Sequence, residues 1–147
     1  MTRIYVASSW KHESHDEVVK ALRDADYTVY NYREENASFQ WAQIDKDFNK
    51  LDAKGQLELL KHPIAQRAFD NDYYAMSAAD ACVLLSPSGS SANMEAGWFV
   101  GQHKPLIIFV PKAIKSPELV YLLADNRCTT IMGIIRALNQ IFELRSK

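Results

Sequence analysis

An apolar run, a Ser/Gly loop, a helical stretch and a second apolar run follow one another between Asp80 and Val110, as DACVLLSPSGSSANMEAGWFVGQHKPLIIFV. Few folds accept that order. Ala81–Leu85 is short, rich in strand formers, and broken by Ser86-Pro87-Ser88-Gly89. Ser90 or Ser91 can cap a helix that Met94, Gly97, Trp98 and Gly101 continue. Pro105 ends that pattern, and Leu106–Val110 is the second run. Helices placed between such runs imply a parallel sheet with right-handed crossovers. In such sheets ligands bind beyond the carboxyl ends of the strands. Glu95 therefore falls about one turn into a helix that begins at the binding edge, beside a loop with open backbone N–H groups.

The rest of the chain fits the same plan. Arg3–Ala7 reads as the first strand, Ser8-Ser9-Trp10-Lys11 as the loop at its carboxyl end, and His12 to about Asp26 as a helix. Val18, Val19, Ala21 and Leu22 form the apolar face of that helix. Tyr27–Tyr32 alternates as a second strand. Arg33 to His62 is polar, carries Phe39, Trp41, Ile44 and Phe48 at helix-like spacing, and is too long for an ordinary connection. It is expected to be a helical excursion over the site. Pro63 suits a helix start, and Ile64–Ala78 leads to the central strand. After Val110, Ser116-Pro117-Glu118 opens a short helix to about Leu123; Arg127–Ile131 is a weak fifth strand and Met132–Leu144 a terminal amphipathic helix. The expected fold is α/β: a flavodoxin-like three-layer sandwich on a five-stranded parallel sheet of order 2-1-3-4-5. A chain of 147 residues makes it a single domain, 1–147, with a helical insertion at about 33–62 after the second strand.

Composition removes several classes of function. A net charge of −1 gives no basis for nonspecific nucleic-acid binding. No apolar run approaches the roughly 20 residues that span a bilayer. The opening MTRIYVASSW lacks a signal-peptide pattern and enters a strand directly. Two cysteines make no disulfide framework, so Cys82 and Cys128 read as core thiols in a reducing, cytoplasmic setting. His12, His15, His62 and His103 show no ligand spacing with Cys or acids, so no metal is expected. There is no GxGxxG and no P-loop, and no cofactor is expected.

Three loops should converge on the carboxyl edge: Ser8–Lys11, Ser86–Ser91, and the segment after Val110. Ser8, Ser9 and Lys11 offer two hydroxyls, a cation and a helix N-terminus, which together suit an anion. Ser88, Ser90 and Ser91 flank Gly89, where a ligand can approach the backbone closely. The ordinary role of such loops is to cap helices, and the ordinary role of a Glu in a first turn is to complement the helix dipole. Against that, Ala96-Gly97-Trp98 follow Glu95, and the first two are small enough to admit a ligand. A carboxylate so placed can attack an electrophilic sugar carbon through an oxocarbenium-like transition state, given a second group to protonate the leaving group. Asp72 is the best placed of the nearby acids; Asp80 reads as a turn or cap residue at the opposite end of its strand. Trp98 reads as core and Lys104 as a helix-end cation. Phe39 and Trp41 either pack the excursion or sandwich a nucleobase.

Asp72…Asp80, SGSSANMEAGW, GQHKPLIIF and the opening Ile4-Tyr5-Val6-Ala7-Ser8-Ser9-Trp10 resemble the nucleoside 2-deoxyribosyltransferase superfamily. That group includes 2′-deoxynucleoside 5′-phosphate N-hydrolases and CMP or hydroxymethyl-CMP hydrolases. The resemblance covers most of the chain outside the insertion, and the Glu95 motif is its most specific part. It implies that Glu95 is the nucleophile at the anomeric carbon, that Asp72 contacts the base and helps it leave, and that Tyr5 positions Glu95 or the sugar. It places Ser8, Ser9 and Lys11 near the sugar 5′ end or a 5′-phosphate. From their own chemistry, Ser88 and Ser91 beside Gly89 can bind a phosphate by hydroxyl and N–H, and Trp41 is a candidate base contact if it does not pack the excursion; the resemblance would place Asn126, within Asp125-Asn126-Arg127, in the site of a neighbouring subunit in a homodimer or larger homo-oligomer. Gly89 stands where transferases often carry Asp, and Ser90 where many hydrolases carry a basic residue. Base specificity and a phosphate clamp are therefore not carried over. The expected ligand is a small-molecule nucleoside or nucleotide, with no nucleic acid or membrane as partner. A different class of function, a non-catalytic nucleotide-binding or sensor module of the same fold, would be marked by binding without release of base.

Overall fold

The structure, a computed structural model, describes residues 1–35 and 39–145. Residues 36–38 of the expected excursion lie outside the described residues. Five strands form one all-parallel sheet: β1 (Arg3–Ala7), β2 (Thr28–Tyr30), β3 (Ala81–Leu85), β4 (Leu106–Phe109) and β5 (Asn126–Cys128). Their order is β2-β1-β3-β4-β5, the flavodoxin-like arrangement expected from the sequence. The helices are α1 (His15–Asp24), α2 (Tyr32–Glu35), α3 (Ala53–Leu59), α4 (Pro63–Ala78), α5 (Ser90–Gly101) and α6 (Ile131–Arg145), with 3-10 turns at Trp41–Gln43, Phe48–Lys50 and Leu119–Leu123.

The chain divides into two compact units, Met1–Tyr30 with Ala78–Lys147, and Asn31–Ser77. The first holds the sheet. Strand residues alternate between faces, so Ile4 and Val6, Val83 and Leu85, and Ile107 and Phe109 share one face. They pack there with Val18, Val19 and Leu22 of α1 and Ile134, Ala137 and Leu138 of α6. Each such fully buried side chain contributes about 1.5–3 kcal/mol of burial. Tyr5, Ala7, Cys82, Leu84 and Ile108 face the other way, toward α5, which buries Ala92, Ala96 and Phe99. Because both faces are covered, every residue of β3 is buried, as a central parallel strand requires. Two carboxylates finish the amino end of the sheet. Asp80 accepts the Arg3 N–H at 2.8 Å and Asp125 the Leu106 N–H at 2.9 Å. This is the turn-and-cap role expected of Asp80.

The second unit is helical, as expected of an insertion, but it runs through Ser77 because α4 clusters with it. Asp52 caps α3 by accepting the Gly55 N–H at 2.8 Å, and Pro63 opens α4.

Three of the boundaries that differ from the sequence reading have a visible local cause. The second strand stops at Tyr30, because the Asn31 side chain accepts the Arg33 N–H at 3.0 Å and turns the chain into α2. The first helix starts at His15, the chain before it being held in turns by His12. The fifth strand is Asn126–Cys128 and does not reach Ile131. Thr130 accepts the Gly133 N–H on its hydroxyl at 3.0 Å and the Ile134 N–H on its carbonyl at 3.2 Å, so α6 begins there. Among the described residues no helix is long and apolar enough to cross a membrane.

Candidate active site

Alternation along β1 turns Tyr5 toward α5, and Glu95, the sixth residue of α5, meets it. The Tyr5 hydroxyl donates to Glu95 Oε2. Tyr5 is 1% exposed, its ring stacked on Tyr30 at 5.9 Å and tilted against Phe99 at 5.6 Å. A phenol packed against two rings has little rotational freedom, and its hydroxyl meets one oxygen of a half-buried carboxylate. The sequence resemblance has Tyr5 position Glu95 or the sugar; the hydrogen bond joins it to Glu95.

Cys82 is the β3 residue paired with Tyr5, and it is fully buried. Burial first, and the negative charge of Glu95 second, push its thiol well above the usual thiol range. A raised pKa means less thiolate at a given pH, and the thiolate is the reactive form. Cys128 is only half-buried, short of the core position expected of it, and burial raises its thiol too. Iodoacetamide at about pH 8 is expected to label Cys128 in the native protein and Cys82 only after unfolding, read by peptide mass. Equal labelling of both would show that the Tyr5–Cys82 layer is open to solvent.

The two loops on either side of Glu95 are joined. The Gly89 N–H donates to Ser9 Oγ at 3.0 Å. Ser8 Oγ lies 2.7 Å from His15 Nδ1, and His15 is fully buried. Gly89, with extended backbone, is the residue before α5, so neither Ser90 nor Ser91 is the cap. The Asn93 amide instead donates to the carbonyls of Gly89 at 2.9 Å and Ser88 at 3.1 Å, closing the turn from within the helix. A Cβ on Gly89 would meet only Ser9 Oγ at 3.9 Å, so space lies in front of this backbone. Lys11 and Ser91 are exposed. Sequence reasoning missed His12 and His15. Both follow the Ser8-Ser9 pair, and that adjacency was the available signal.

Asp72, half-buried on α4, and Trp41, edge-to-face with Phe39 at 5.2 Å, belong to the second unit. Asn126 opens β5 opposite Ile107, toward the amino end of the sheet, and on its own chain it does not join Tyr5 and Glu95. Trp98 is half-buried with the Lys104 ammonium 5.6 Å from its ring, not in the core as the sequence reading had it. A cavity of about 530 Å³ lies beside α5, lined by Leu84, Ser86, Asn93, Gly97, Ile108 and Tyr121 among others; neither Tyr5 nor Glu95 lines it.

No protein-family model matches the chain, and no curated protein matches it by sequence. Solved structures do resemble it. A 2-deoxyribosyltransferase from the psychrotolerant bacterium Bacillus psychrosaccharolyticus superposes with a TM-score of 0.63 at 18% identity, over 91% of this chain and 90% of that one. A conserved protein from Enterococcus faecalis V583 superposes at 0.65 with 14% identity, over 95% and 98%. A CMP N-glycosidase of Clostridium botulinum superposes at 0.53 with 12% identity, over 94% and 99%. At these identities the likeness is one of fold, and it extends over nearly the whole length of each chain.

Proposed function

We propose that this protein, sharing its fold with a 2-deoxyribosyltransferase and a CMP N-glycosidase, cleaves the N-glycosidic bond of a (deoxy)nucleoside or its 5′-monophosphate. The observation that carries the reading is the hydroxyl of buried Tyr5, at the middle of β1, donating to the Glu95 carboxylate of α5. In the proposed reaction a Glu95 oxygen bonds to the anomeric carbon as the C–N bond breaks. The electron pair of that bond leaves with the base, and Asp72 supplies the proton that neutralises it. Water then attacks the same carbon, giving its proton to the Asp72 carboxylate as the Glu95 ester bond breaks, which releases the pentose and returns both side chains to their starting forms. A second base in place of water gives transfer. Ser8, Ser9 and Lys11, with Ser88, Gly89 and Ser91, bind the sugar 5′ end; Trp41 contacts the base. Asn126 acts in the site of a partner copy, so the working form is a homo-oligomer, in the cytoplasm. Hydrolysis is favoured over transfer because Gly89 stands where transferases often carry Asp, and because the two serine loops suit a 5′-phosphate.

The test is a panel of ribo- and deoxyribonucleosides and their 5′-monophosphates, with free base followed by chromatography, with and without a second base. Base released without an acceptor is the expected outcome. A new nucleoside formed from the added base would mean transfer. Tight binding with no base released from any member would replace this reading with that of a binding module.

A further inference from the structure

The segments 8–14 and 86–89 follow the carboxyl ends of the adjacent parallel strands β1 and β3, and they are fastened to each other at two points. One is the Gly89 N–H to Ser9 Oγ bond at 3.0 Å. The other is His12, whose Nε2 lies 3.1 Å from the Ser86 carbonyl oxygen. Pairing between β1 and β3 ends at Ala7 and Leu84, so the Ser86 carbonyl lies past the last rung and His12 meets it in place of a strand. The imidazole is 8% exposed, and its other nitrogen, Nδ1, accepts the Ser14 N–H at 3.2 Å. A carbonyl only accepts and a backbone N–H only donates. With Nδ1 accepting the Ser14 N–H, Nε2 is the nitrogen that can donate to the Ser86 carbonyl. Ser86 is 1% exposed, and its hydroxyl lies 2.7 Å from that of Tyr121. The link thus extends to the segment after β4.

We infer that His12 is a positioning residue whose imidazole, bonded to the Ser86 carbonyl, sets the spacing between the β1–α1 loop and the β3–α5 loop. Ser8, Ser9 and Lys11 stand on one side of that link, and Ser88, Gly89 and the start of α5 on the other. His12 acts through the Ser86 carbonyl and touches no substrate. The catalytic consequence rests on the reading above, that both loops hold the sugar 5′ end; the mechanical link does not.

Three variants separate these points. His12→Gln carries an amide nitrogen as far out as Nε2 and can still donate to the Ser86 carbonyl. His12→Asn reaches only as far as Nδ1 and cannot, and His12→Ala does neither. Hydrogen–deuterium exchange of the 86–91 segment is expected to be about tenfold faster in the Asn and Ala variants, the size of one lost hydrogen bond, and within about twofold of wild type in the Gln variant. Exchange of β3 and β4 should not change. With 2′-deoxynucleoside 5′-monophosphates as probes, KM should rise about tenfold in the Asn and Ala variants with kcat within about threefold, and the Gln variant should restore it. Wild-type exchange at 86–91 in the Ala variant, or exchange raised alike across the whole sheet in all three, would overturn the inference. If wild-type protein turns over no probe, the function reading fails, and the exchange measurement still decides the role of His12.

Discussion

Replacing Glu95 with alanine is expected to abolish base release from every nucleoside or nucleotide the wild-type protein cleaves, by about 10³-fold or more. The size follows from the role. Without the carboxylate no covalent intermediate forms, and what remains is whatever rate binding alone can give to attack by water. Alanine also takes the acceptor away from the Tyr5 hydroxyl, so a lost activity could be blamed on a rearranged β1. Glu95→Gln answers that objection. It keeps the chain length and an acceptor oxygen for Tyr5, but an amide oxygen is a poor nucleophile. Both variants should therefore be inactive by product chromatography, and the Gln variant should unfold close to wild type. A folded Gln variant with full turnover would remove Glu95 from the chemistry.

Tyr5→Phe has the next largest expected effect. The substitution deletes one oxygen and leaves the ring against Tyr30 and Phe99. A hydrogen bond to a charged group contributes about 1.5–3 kcal/mol, so kcat should fall by about 10- to 100-fold as the carboxylate loses its fixed direction. KM should hardly move, because Tyr5 is 1% exposed and reaches a ligand only through Glu95. Tyr5→Ala is a different experiment. It empties a buried aromatic site and costs about 3–5 kcal/mol of stability, so its inactivity would carry no mechanistic content. A Phe variant with wild-type kcat would show that Glu95 is aimed by something other than the phenol.

The sheet was legible because parallel strands covered on both faces must be short, continuous and apolar. Ala81–Leu85 and Leu106–Phe109 look like nothing else, and their spacing from Arg3–Ala7 leaves room for crossover helices. The sheet ends were harder to read, because polar side chains set them locally. Ile131 after Thr130 reads as the last residue of a strand, until the Thr130 hydroxyl takes the Gly133 N–H and starts a helix. Ser90 and Ser91 read as caps, until Ser9 and Asn93 bond the Gly89 backbone from either side. The Tyr5–Glu95 pair came from family resemblance. Strand alternation and helix phase then explain why residues 90 positions apart meet. The two buried histidines escaped notice because spacing rules test them as metal ligands. Their partners are a hydroxyl 7 residues away and a carbonyl 74 residues away, and sequence separation says nothing about either.

The most direct test of the central claim is a mass measurement on the protein caught in mid-reaction. A nucleoside or nucleotide with fluorine at the sugar 2-position destabilises the oxocarbenium-like transition states on both sides of the intermediate, and a good leaving base lets the first step proceed. After incubation and digestion, the peptide containing Glu95 should gain the mass of one fluoropentose, with or without its phosphate, and the Glu95→Gln protein should gain nothing. Base released stoichiometrically with no added mass on that peptide, or the added mass on another residue, would contradict attack by Glu95.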